Sequence, residues 1–208
     1  ILKGADVKGI DFSGADLTGS NLYGIDLRGA QLLGVDMSGA DLKEVDLSGA
    51  NLDDANFSGA NLRGATLKGA DAKRIDFSGA NLSSADLSFA HLNGSDLSGI
   101  KLVGTSLENV TLVRAFLGKT NFFGAYLRNA NFEEADLRGA MLSRFDLSGA
   151  NFTRSNLSGA NLSGAKLTGA NLVRAYLPGA NLEKSILVDA DLSEAYLYGA
   201  NLVGADLR

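Results

Sequence analysis

The chain has 208 residues and a net charge of −5 from 19 basic and 24 acidic residues, with no cysteine and a single histidine. The missing cysteines exclude disulfides and thiolate-bound metals, and no apolar stretch approaches the roughly 18 residues of a membrane-spanning helix. An acidic chain also lacks the basic footprint of a nucleic-acid binder, so neither membrane insertion, nor direct nucleic acid binding, nor a cofactor is expected of this segment.

One pattern runs from the first residues to the last. From Leu2 to Leu207, every fifth position is apolar: 42 positions hold 33 Leu, 6 Phe, one Val, one Met and Ala72. The residue two before each of these centres is Ala in 27 of 41 cases, and otherwise Ser, Thr, Val or Ile except at Phe145. The residue just before the centre is Asp or Asn in 28 of 41, and the residue two after it is Gly in 25 of 41. The repeat reads Ala-Asp/Asn-Leu-x-Gly.

A helix cannot use this spacing. Five residues advance a helix by about 500°, so successive Leu would sit about 140° apart and circle the axis. A flat strand fails as well, because an odd period switches faces at every repeat. Within one repeat, however, Ala and Leu are two apart and point the same way in an extended segment. The two residues that follow must turn the chain, giving one short side and one corner per repeat. Gly suits a corner that needs positive φ, and Leu177-Pro178-Gly179-Ala180 is a type II turn sequence. Corners without Gly, among them Glu44, Asp54, Arg74, Arg114, Lys119, Arg144, Arg174 and Lys184, are expected to use turns without positive φ.

Taken in chain order, the first half carries the acid. Residues 1–100 hold 14 acids and 8 bases, against 10 and 11 in residues 101–208. If four repeats close one coil, residue n lies over n+20. Asp16, Asp36, Asp76 and Asp96 then form an acidic row, and Phe57 stacks on Phe77. Ala72 leaves a gap below Leu92 that Ile75 is placed to fill. His91 falls in an outward column between Asp71 and Thr111, a solvated position without a catalytic partner. In the second half, Phe132 should stack on Phe152. Phe145 puts a large ring in a column of small residues, where it must distort its coil or swing outward. Asn residues dominate the row from Asn21 to Asn201, where stacked amides can hydrogen-bond as a ladder. Phe116, Phe123, Tyr126, Tyr176, Ile186, Tyr196 and Tyr198 replace outward polar residues. Of these, Phe116, Tyr126, Tyr176, Tyr196 and Tyr198, together with Pro178, form the candidate interaction patch.

The array, as in Gly149-Ala150-Asn151-Phe152 and Gly159-Ala160-Asn161-Leu162, strongly resembles the pentapeptide repeat family over essentially the whole chain. The resemblance implies an all-β fold, a right-handed four-sided β-helix of 20-residue coils with the Leu and Ala columns inward and no α-helical domain. About ten coils would make a rod roughly 50 Å long at strand spacing near 4.8 Å. The length suits one or two globular domains, but the unbroken register argues for a single solenoid over 1–208. With no cap at either end, it is expected to be a domain of a longer protein.

A filled β-helix offers no concave site for catalysis, so a non-enzymatic scaffold is expected. Its partner would be an unidentified protein or a second copy engaging the C-terminal half. The alternative also comes from the resemblance. Some members mimic duplex DNA in girth and charge and bind DNA gyrase or topoisomerase, protecting it from quinolones. The Asp rows of residues 6–96 fit that role. The fading charge after residue 100 departs from it, as do the absence of interrupting loops and of a dimerising C-terminal helix.

Overall fold

A computed structural model describes Val7 and residues 10–208. Leu2, Gly4, Ala5 and Asp6, which open the repeat columns, lie outside the described residues. Every described repeat has the same form: one residue in a parallel bridge, an inward centre and a two-residue turn. The bridges join n to n+20, from Asp11–Gln31 to Ile186–Asp206, so four repeats make one coil. We number the sides by their outward rows. Side 1 carries Asn21 to Asn201, side 2 Asp26 to Asp206, side 3 Asp11 to Asp191, and side 4 Asp16 to Tyr196.

The interior is a column of Leu, Phe and Ala, and from Ala30 to Leu187 almost all of them are shut off from water. Phe132 and Phe152 stack with centroids 5.1 Å apart and planes 8° from parallel. Phe57 and Phe77 meet at 5.6 Å, tilted by 56°. Phe122 also meets Phe132 edge-on at 6.4 Å, across the core from the opposite side. Ala72 and Ile75 are both fully buried, and the Ser95 hydroxyl donates to the Ala72 carbonyl at 3.1 Å. Thr120 is buried in the same small-residue column, and its hydroxyl has no partner among the described residues. Replacing it with the near-isosteric valine removes an unpaid desolvation cost, so Thr120→Val should stabilise the fold by about 1 kcal/mol, read as a rise in the urea midpoint at unchanged slope.

One repeat shows how the backbone is satisfied. Asn161 N–H donates to Ala140 O at 2.9 Å, Leu162 N–H to Asn181 O at 2.7 Å, Gly164 N–H to Glu183 O at 2.8 Å, and Ala165 N–H closes the turn on Leu162 O at 3.0 Å. Only Ser163 N–H lacks a backbone acceptor, and it donates to Asn161 Oδ1 at 3.1 Å. That fifth bond explains the Asp/Asn column. Every described Asp or Asn in it, except Asp71, accepts the N–H two residues on through Oδ1. At Asp71 the corresponding Lys73 N–H donates to Asp53 instead, at 2.8 Å. Among the described residues, the expected amide ladder on side 1 is reduced to Asn201 donating to Asn181 at 3.3 Å. Side 3 carries two such links, Asn51 to Gln31 at 3.2 Å and Asn151 to Asn131 at 3.1 Å. Asn161→Ala should therefore cost about 1 kcal/mol, whereas Asn161→Asp, which keeps the acceptor, should stay within about 0.5 kcal/mol. Thermal melts of the two variants check this.

The corners correct one expectation. All eight named non-Gly corners have positive φ, from 56° at Glu44 to 63° at Arg144, as do the glycines of the same column. Closure of the turn and the bond to the next coil impose the conformation whatever the side chain, at a cost of about 1–2 kcal/mol for a non-Gly residue. Part of the offset is visible along one edge. Arg74 makes a bidentate pair with Asp54, both bonds at 2.6 Å, Arg114 pairs with Glu134 at 2.6 Å, and Arg174 pairs with Glu194 at 2.8 Å. The long side chains also lie over the following corner. A Cβ placed on Gly94 would stand 3.4 Å from Arg74 Cγ, so the glycine there leaves room for the arginine stem.

Candidate interaction surfaces

The candidate patch divides into three places. Tyr176 and Tyr196 are vertical neighbours on side 4, stacked at 5.1 Å and 11°, and Tyr198 extends the stack at 6.3 Å. Pro178 occupies the corner beside them, where Gly179 has φ +64° and Ala180 N–H closes the turn on Leu177 O at 3.1 Å. Phe116 is on side 4 as well, but Asp136 and Asn156 separate it from Tyr176. Tyr126 bridges to Ser106 on side 2, the opposite side of the rod, so it does not join the tyrosines. Ile186 also lies on side 2, and Phe123 sits at the corner between sides 1 and 2.

Local chemistry accounts for Pro178. Where Tyr176 replaces Asp or Asn, the corner loses the side-chain acceptor for the N–H two residues on. Proline has no N–H to satisfy, so the substitution at 176 and the proline at 178 are compatible as a pair. Gly118 follows Phe116 and Tyr198 follows Tyr196 in the same relation, and Tyr198 is 76% exposed. The sequence showed the aromatic substitutions; the pairing with Pro178 becomes legible only once the Asp/Asn column is understood as a corner acceptor.

The acidic row is also structural. Asp16 accepts from Thr18 N–H at 3.0 Å, Asp36 from Ser38 at 2.9 Å, Asp76 from Ser78 at 2.7 Å and Asp96 from Ser98 at 2.8 Å. The Thr18 hydroxyl and N–H hold the Asp16 carboxyl below its ordinary value, and the Ser38 N–H and hydroxyl do the same for Asp36. Asn56 interrupts the row between Asp36 and Asp76. Among the described residues, no group of three or more His, Asp or Glu is placed to hold a metal ion. His91 is exposed, with Nδ1 3.2 Å from Thr111 Oγ1. No helix of the described residues is long and apolar enough to cross a membrane.

Asp146 on side 2 is the most strongly perturbed carboxylate. The Ser148 hydroxyl and the Arg128 guanidinium pull it from 3.8 to about 2. A carboxylate lowered in the fold contributes stability above its unfolded pKa and loses it as pH falls through the folded value. Thermal stability should thus hold at neutral pH and fall below about pH 4. Asp146→Asn should flatten part of that fall, as followed by melts from pH 7 to 2.

The corners, stacked bridges and filled interior define a four-sided parallel β-helix over the described residues. The chain belongs to the pentapeptide repeat family. The family's pattern matches in overlapping segments that run from residues 2–32 to 175–208. Its members form right-handed helices of this kind, so the fold is the right-handed, all-β solenoid that the repeat implies. HetL, a pentapeptide repeat protein involved in heterocyst differentiation regulation in the cyanobacterium Nostoc sp., is 34% identical; the match covers 96% of this chain and 87% of HetL, with a TM-score of 0.38. QnrB1, a plasmid-mediated fluoroquinolone resistance protein, is 21% identical over 95% of this chain and 91% of its own, with a TM-score of 0.58. A pentapeptide repeat protein of the Arabidopsis thaliana thylakoid lumen is 31% identical over 62% of this chain and 70% of its own, with a TM-score of 0.27. No curated protein matches the chain. The protein is a pentapeptide-repeat scaffold.

Proposed function

We propose that this scaffold is non-enzymatic and works as a rigid rod that presents side chains to a protein partner, chiefly through the tyrosine cluster of side 4. The observation that carries this reading is the stacked set Tyr176, Tyr196 and Tyr198 beside Pro178, held outward where the repeat calls for polar residues. Tyrosine supplies wide contact area at low entropic cost and is enriched in binding hot spots. Side chains stacked along a rigid ladder lose little further freedom on binding. Nothing in this reading requires nucleic acid, membrane insertion or a cofactor.

The test is a photoreactive amino acid placed at position 198 in cells that express the protein, with the same group at His91 on side 3 as control. The reading expects one defined crosslinked protein at 198, or a crosslinked pair of copies, and none at 91. Equal crosslinking at both positions would refute it.

The second reading is a mimic of DNA that binds gyrase or topoisomerase. Its support is the carboxylate row Asp16, Asp36, Asp76 and Asp96. The likeness to QnrB1 concerns the fold alone. In a gyrase supercoiling assay, inhibition or quinolone protection at micromolar protein would favour the mimic, and neither effect would remove it.

A further inference from the structure

The ladder opens at one place on side 2. Bridges join successive coils along this side from Asp26 to Asp206 except between Tyr126 and Asp146. Phe145 lies at this break. It is a large residue one coil from Ala125 in the small-residue column, half-buried and packed against the core. Among the described residues, the bonds from Gly124 N–H to Ser143 O, from Leu127 N–H to Asp146 O and from Asp146 N–H to Ala125 O are absent. On its far side the same coil is intact, with Lys166 N–H donating to Phe145 O and Leu147 N–H to Lys166 O, both at 2.8 Å. Side 1 is interrupted as well, between Lys101 and Asn121, which do not bridge. There Gly104 N–H reaches Gly124 O at 3.1 Å, one residue beyond the regular partner.

The opening is a groove of about 500 Å³, within the size range of pockets that hold a ligand. Its wall carries Phe123, Tyr126 and Phe145, and the residues with unpaired backbone groups, Gly124, Ala125, Leu127, Ser143 and Asp146, line the same space. Arg128 is held by Asp146 at 2.8 Å, with Glu108 close by. Arg144, on the rim, makes no ion pair among the described residues, and its stem lies over Gly164 in the adjoining depression that Lys184 also borders.

We propose that this groove binds an extended peptide segment of a partner protein, one bearing a large apolar side chain beside a carboxylate. Main-chain donors and acceptors left open between two parallel segments are what an added strand uses, with pockets for alternate side chains setting specificity. The apolar side chain packs against Phe145, Phe123 and Tyr126, and the carboxylate meets Arg144. The groove lies on the opposite side of the rod from the Tyr176 cluster, so its failure leaves the reading of that cluster untouched.

The probe is a library of linear dodecapeptides displayed on phage and panned against the whole chain. Enriched peptides, made synthetically, are then titrated into wild-type protein and the variants Phe145→Ala and Arg144→Gln, with thermal melts confirming that both fold. The expected result is peptides with an aromatic or branched aliphatic residue next to Asp or Glu. Phe145→Ala, which restores a small residue and allows the seam to close, should weaken binding at least about tenfold, as loss of a central anchor does. Arg144→Gln should weaken it by a few-fold and reduce its salt dependence. Exchange of the Gly124, Leu127 and Asp146 amides should be fast in the free protein and slowed by the peptide. The proposal is overturned if no peptide is enriched, if Phe145→Ala leaves binding unchanged, or if the protected amides lie elsewhere.

Discussion

Leu97→Asp is expected to unfold the coils around it. Leu97 is 1% exposed, in a column whose neighbours are all apolar or small. A carboxylate there would be buried without a partner, or would have to take up a proton to stay. Either outcome belongs to the class of substitutions that exceed the usual range, at more than about 4 kcal/mol. In a solenoid each coil contacts only its neighbours, so damage in the middle uncouples the two ends. The melt should split into two transitions, or the chain should lose β-sheet signal at ambient temperature. The adjacent Asp96→Asn is the control. It keeps the Oδ1 acceptor for Ser98 N–H, which Asp96 now binds at 2.8 Å, and should change stability by less than about 0.5 kcal/mol.

Phe132→Ala is the second large effect. Phe132 is fully buried and touches two other rings, Phe152 at 5.1 Å and Phe122 at 6.4 Å. Removing it deletes both aromatic contacts and leaves a cavity that stacked coils cannot close without shifting the backbone ladder. The expected cost is about 3–5 kcal/mol, measured as a shift of the urea midpoint. Phe132→Leu, which restores the commonest residue of that column, should cost much less. Equal losses for the two would mean that the ring stacking, rather than filled volume, holds this part of the core.

The fold was legible because its determinants repeat. Leu and Ala two apart, then a two-residue corner, leave one arrangement that buries every centre. The vertical neighbours Phe57–Phe77, Phe132–Phe152 and Tyr176–Tyr196 follow from the 20-residue coil alone. The corners at Glu44, Arg74 and Lys184 depart from what residue type predicts, because closure of the turn outweighs it. The ladder fixes φ there, and side chains adapt to it. The Asp/Asn column pointed to a surface row, while its real work is local: it caps the one N–H per repeat that the ladder leaves free. That role could have been found from the spacing, since Asp and Asn commonly bond the backbone two residues on.

The candidate surfaces were less legible. Tyr126 and Tyr176 both replace an outward polar residue, and their spacing of two and a half coils already sends them to opposite sides. Phe145 stood out as oversized, but the groove it opens depends on which backbone bonds fail around Ala125, and side-chain volume alone does not specify that.

The most direct test of the architecture uses the chain's lack of cysteine. Two introduced cysteines, at Asn161 and Asn181, occupy bridged positions of adjacent coils on side 1. Parallel neighbours of this kind lie within the roughly 4.4–6.8 Å between Cα atoms that a disulfide spans. A 20-residue coil predicts that this pair oxidises within one chain under mild conditions, while cysteines at Asn161 and Tyr176, on different sides, remain free thiols. Coupling of the second pair with the first left reduced would contradict the four-sided helix.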